Sequence, residues 1–88
     1  MTLPKDILEL FCNWTKDFYG IIVSIHDPPR RDGELARFML GDALFVVRPF
    51  FSAPSEAIEI FSSDAQKMED VEKQFTFALR KLLGEKTE

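Results

Sequence analysis

With 88 residues, 45% of them hydrophobic and 12% aromatic, the chain suits one small domain and is too apolar for a disordered segment. A net charge of −4, with adjacent basic residues only at Arg30–Arg31 and Arg80–Lys81, argues against binding the nucleic-acid backbone. Cys12 is the only cysteine, so no internal disulfide can form, and no apolar run approaches the roughly 20 residues that cross a bilayer.

Pro4 and Asp6 suit a first helical turn, and Ile7, Leu10, Phe11, Trp14 and Phe18 recur at helical spacing after them. Gly20 closes the segment, which predicts a helix over residues 4–18. Leu8, Cys12 and Tyr19 add a second stripe, so this helix should be covered on more than one side. Ile21–His26 is short and β-branched and is expected as a strand, and Asp27–Gly33, with two prolines, as a loop. Two strands follow, Leu35–Leu40 and Ala43–Arg48, with Gly41-Asp42 between them as a two-residue hairpin turn, which makes them antiparallel. Pro49 should end the second of these, because it has no N–H to give to a ladder.

Glu56–Ser62 supports two readings. Ile58 and Ile60 alternate as in a strand, whereas Ala57, Ile58 and Phe61 fit a helical turn capped by Ser55; the helix is slightly favoured. Ser63 with Gln66 then has the form of a capping box. Met68, Val71, Phe75, Ala78, Leu79 and Leu82 mark one face of a long helix over residues 64–83, which Arg80, Lys81 and Gly84 terminate.

These elements predict one α+β domain over residues 1–88. A small antiparallel sheet of three to four strands should carry the N- and C-terminal helices on one face. Trp14, Phe18, Phe38, Phe45, Phe75 and Leu79 are the expected shared core. Both sheet faces read as apolar, and two helices cover only one. Leu35, Met39, Leu44 and Val46, with Phe50 and Phe51 beyond the last strand, are therefore the expected partner interface.

Catalytic company is missing. His26 and Asp27 are sequence neighbours, whose side chains diverge in extended chain, and Cys12 lies among apolar residues as packing. One His, one Cys and dispersed acids do not make a metal site, and four isolated glycines do not make a phosphate loop. Glu69, Asp70, Glu72 and Lys73 read as the solvated side of the last helix. No enzyme, cofactor or metal is expected.

The order of landmarks resembles the C-terminal globular RWD-type domain of the Spc subunits in the outer-kinetochore complex that attaches chromosomes to microtubules. Phe18-Tyr19-Gly20 ends a helix, an apolar strand leads into a loop with Asp27-Pro28, and a Phe-bearing strand follows around Phe38. Phe45-Val46-Val47 forms the next strand, Pro54 opens the helical part, and the last helix carries Phe75 ahead of Arg80-Lys81. Monopolin-type kinetochore domains and other RWD folds share this layout. The resemblance implies a non-enzymatic scaffold in the nucleus, at the kinetochore, preceded by a coiled coil. It also implies a heterodimer with a sister globular subunit and, as a further partner, a short helical motif of an inner-kinetochore protein, with no direct nucleic acid and no membrane. Two other readings compete with it: a small acidic inhibitor or immunity-type protein that blocks a target by contact, and, ranked last, a small hydrolase or transferase.

Overall fold

The computed structural model describes residues 1–26 and 33–84, the side chains of 83 and 84 excepted. Strands β1 (Thr2–Pro4), β2 (Ala36–Leu40), β3 (Ala43–Pro49) and β4 (Ala57–Ser62) form one sheet in the order β1-β4-β3-β2, antiparallel throughout. A 3-10 turn at Lys5–Ile7 leads from β1 into helix α1 (Leu8–Tyr19), and helix α2 (Ala65–Gly84) follows β4. Both helices lie on one face of the sheet, as the α+β reading requires. Phe11 of α1 touches Phe38 of β2 at 6.1 Å between ring centroids and Phe75 of α2 at 5.0 Å. Val47, Ile58, Ile60 and Val71 complete the buried centre around Phe45, whose ring stacks on Phe38 at 5.0 Å.

The hairpin forms where Gly41-Asp42 predicts it, with Leu40 opposite Ala43 and Gly41 at φ +65°. Lys67 of α2 reaches over this turn, donating to Asp42 Oδ1 at 2.9 Å and to Leu40 O at 3.2 Å. Helix is thereby tied to hairpin. β3 runs to Pro49, opposite Ile58, and beyond it Phe50 N–H still donates to Ala57 O at 2.9 Å.

Three elements differ from expectation. Residues 57–62 are a strand and not a short helix. The edge of β3 offers a complete ladder, and β-branched Ile58 and Ile60 bury fully on the helix-covered face, more than one helical turn could bury. At the N-terminus Pro4 ends a strand instead of opening a helix. Ile60 N–H donates to Met1 O and Lys5 N–H to Glu56 O, both at 2.8 Å, so three residues too short to signal a strand are held beside β4. Ile21–His26 forms no strand. Val23 is buried in the core with Ile21 packed against it, and His26 N–H donates to Leu35 O at 2.6 Å just ahead of β2. The loop expected at Asp27–Gly33 lies, up to residue 32, outside the described residues.

The helix ends are also reassigned. Asp64, not Ser63, caps α2: its Oδ1 accepts from Gln66 N–H at 3.0 Å and from Lys67 N–H at 3.2 Å. Ser63 closes the sheet instead, exchanging hydrogen bonds with Leu44 through its hydroxyl and its N–H. On α1 the buried row is Leu8, Phe11 and Thr15, with the Thr15 hydroxyl donating to Phe11 O at 2.8 Å. The expected stripe is therefore rotated toward the second one. Phe18 is 54% exposed at the rim, stacked on Trp14 at 5.2 Å, and Trp14 and Leu79 are half-buried. Gly20, left-handed at φ +71°, ends α1 as expected.

Two expected outcomes follow from this packing. Phe75→Ala should cost about 3–5 kcal/mol in urea unfolding, whereas Phe77→Ala, on the exposed side of α2, should cost under about 0.5. Near-equal costs would contradict the assigned face. The Asp42–Lys67 bond, and then its charge attraction, hold the Asp42 carboxyl below the ordinary aspartate range. Its contribution is thus present above the ordinary aspartate pKa and is lost as pH falls through the depressed folded value. Carboxyl NMR titration should find that depression, and Lys67→Met should remove most of it.

Candidate functional site

Alternation along the strands sorts the sheet into two faces. The face opposite the helices carries Arg37 and Met39 from β2, Leu44, Val46 and Arg48 from β3, Glu59 and Phe61 from β4, and Thr2 from β1. Met39 pairs with Leu44, and Val46 lies between Arg37 and Phe61. Met39 is 49% and Phe61 45% exposed, and Leu44 and Val46 are half-buried, so four apolar side chains gather in one corner. A shallow depression of about 390 Å³ beside them is lined by Glu34, Val46, Arg48 and Phe61.

Of the six residues expected at an interface, Met39, Leu44 and Val46 come together here. Leu35 does not. Its N–H donates to Val47 O, the residue that Ala36 already faces, so two residues of one strand oppose one of the next. Such a bulge resets the alternation and turns Leu35 into the core, where it is 9% exposed. Phe50 and Phe51 follow the end of β3, separated from the corner by Arg48 and Pro49. Phe50 is half-buried and Phe51 83% exposed, with their rings 5.3 Å apart. Phe61 joins the corner although sequence reasoning left it out. The strand alternation of Ala57–Ser62 was the signal that could have found it.

Charge frames the corner. Glu34, buried beside the bulge, accepts both Arg37 Nε at 2.7 Å and Arg37 Nη2 at 2.5 Å, a two-pronged clasp that compensates burial of the carboxylate. Arg48 stands across from Glu59 in the next row.

Groups with chemical potential lie elsewhere. His26 Nε2 is buried with no hydrogen-bond partner among the described residues, and Asp27 falls outside them, as do Arg30 and Arg31. Burial, followed by the nearby Glu9 charge, pushes the Cys12 thiol up. Among the described residues no three or more His, Cys, Asp or Glu side chains gather as metal ligands, and no helix is long and apolar enough to cross a membrane. A larger depression of about 480 Å³ is lined, among the described residues, by α2 from Glu69 to Arg80, with Phe77 as their one aromatic ring.

Compared with family models, curated proteins and solved structures, the chain matches none.

A raised thiol pKa leaves little thiolate at neutral pH, so Cys12 should react with a disulfide reagent more slowly than free cysteine. The rate should rise on unfolding. Fast labelling of the native protein would reveal a reactive site.

Proposed function

We propose that this chain is a non-catalytic scaffold module that works by pairing with another globular domain across the open face of its sheet. One observation carries the reading: both helices occupy the same face, leaving Met39, Leu44, Val46 and Phe61 on the other, where no described helix covers them. An antiparallel sheet often presents one face to water, but that face is then ordinarily polar. Here its apolar residues are contiguous and flank a charged row, the usual composition of a contact surface with an apolar centre and a polar rim. Burying them stabilises both partners at about 25 cal/mol per Å² before association costs are subtracted.

The narrower setting, a kinetochore linker paired with a sister subunit, rests on the order of landmarks alone. Helix-ending Phe18-Tyr19-Gly20, the strands around Phe38 and Phe45, and Phe75 in the last helix support it. The coil at Ile21–His26 and the strand that follows Pro54 depart from it. Discrete centromeric foci of the fluorescently tagged chain in dividing cells are the expected result for that setting, and a diffuse signal would remove it.

The pairing itself is tested at Val46. Val46→Asp should keep the fold within about 1 kcal/mol, since the site is half-open, yet lose its partner domain in cross-linking from native cells. Identification of a globular domain captured by the wild type and lost with Val46→Asp would support the reading. A purified wild-type chain that binds no apolar dye, with cross-links indifferent to Val46→Asp, would overturn it.

A further inference from the structure

We infer that the open face is self-complementary and that its occupant is a second copy of this chain, an inference that rests on the pairing function proposed above. β3 and β4 are the two central strands of the four. Across them Arg48 faces Glu59 in one row, and Val46 faces Phe61 in the next row on the same face. Arg48 is exposed and Glu59 half-buried, and among the described residues neither side chain has an ion-pair or hydrogen-bond partner. Two opposite charges thus stand side by side on the contact face, each without an ion-pair partner among the described residues.

A twofold axis lying in the contact plane, between β3 and β4 and along them, exchanges β3 of one copy with β4 of the other. Arg48 of each copy then meets Glu59 of the other, and Val46 of each meets Phe61 of the other. Every pair occurs twice. Sheets packed face to face are rotated by about 30°, which displaces the edge strands most and rows beside the axis least. A partner of a single charge sign would leave either Arg48 or Glu59 opposed by its own kind, whereas a second copy satisfies both. The face is also small. Four strands about 4.8 Å apart and at most about 17 Å long present roughly 300 Å² per copy in projection, well under the roughly 800 Å² per partner of a standard interface. The dimer is therefore a weak, reversible one.

Sedimentation equilibrium on the purified chain tests this. The wild type should show a monomer–dimer equilibrium, weakened by high salt because two ion pairs contribute to it. Arg48→Glu alone and Glu59→Arg alone should each weaken the dimer about tenfold or more. Mixing these two variants should restore it, since each copy then carries the charge the other lacks. That mixture separates contact between copies from the neighbouring charges within one chain. Should a reversal unfold the protein by circular dichroism, Arg48→Gln and Glu59→Gln replace it. Weaker dimers then support the inference, and unchanged ones overturn it. A wild type that stays monomeric at roughly millimolar concentration, or a dimer indifferent to both reversals, also overturns it. The cross-linking result at Val46 is read separately, so a monomer that still loses a captured domain on Val46→Asp ends the second-copy inference and leaves pairing in place.

Discussion

The phenyl ring of Phe11 is wedged between the sheet and the second helix, and the rest of the fold depends on that contact. It meets Phe38 on one side and Phe75 edge-on at 5.0 Å on another, with Trp14 5.8 Å from Phe11 itself and 5.0 Å from Phe75. Three elements distant in sequence are thus joined through one fully buried side chain. Tilted and edge-on rings at these separations gain beyond the area they bury. Because Phe11 needs both α2 and the sheet, the two helices are confined to the same face. The Tyr19 phenol, raised first by burial and then by the Asp70 carboxylate of α2, records the same closeness at the other end of α1.

Confining the helices has a direct consequence for the other face. Four strands whose residues alternate must present half their side chains to the side the helices do not reach. Polar residues could have occupied all those positions, and Arg37, Arg48, Glu59 and Thr2 do occupy some. Met39, Leu44, Val46 and Phe61 do not follow suit, and they adjoin one another. A domain of this length buries only about 60% of the surface of its unfolded chain, so a partner covering that corner would add stability that grows with the logarithm of partner concentration. The proposed pairing would thus act on the same strands that build the fold.

The long helices, the hairpin at Gly41-Asp42 and the buried trio Phe38, Phe45 and Phe75 were legible because each rests on local periodicity or turn chemistry. What escaped was decided by tertiary context. Thr2–Pro4 has no strand signal of its own and forms one because β4 offers hydrogen bonds. Ala57–Ser62 carries both periods, and the open edge of β3 selected between them. Leu35 was placed on the wrong face by correct alternation applied across a bulge, which one hydrogen bond to Val47 O creates. The candidate surface was half legible for the same reasons: β2 and β3 supplied Met39, Leu44 and Val46, and Phe61 required knowing that β4 was a strand. No periodicity signals that polar Thr15 would sit in the buried row of α1, its hydroxyl satisfied by Phe11 O.

The composition of the open face also decides what kind of contact it can make. An obligate interface resembles a core cut in half, apolar throughout, and the sequence pattern with Leu35, Phe50 and Phe51 included suggested such a surface. With Leu35 turned inward and the two phenylalanines beyond Arg48, the apolar part shrinks to one corner. The remaining rows hold charges whose solvation must be given up on contact. Exposed ion pairs return little of that cost in net stability, but they punish a wrong partner or register strongly. A surface built this way contributes modest affinity and pronounced selectivity. That combination suits the pairing proposed for this domain, whose core is closed through Phe11 on the opposite face.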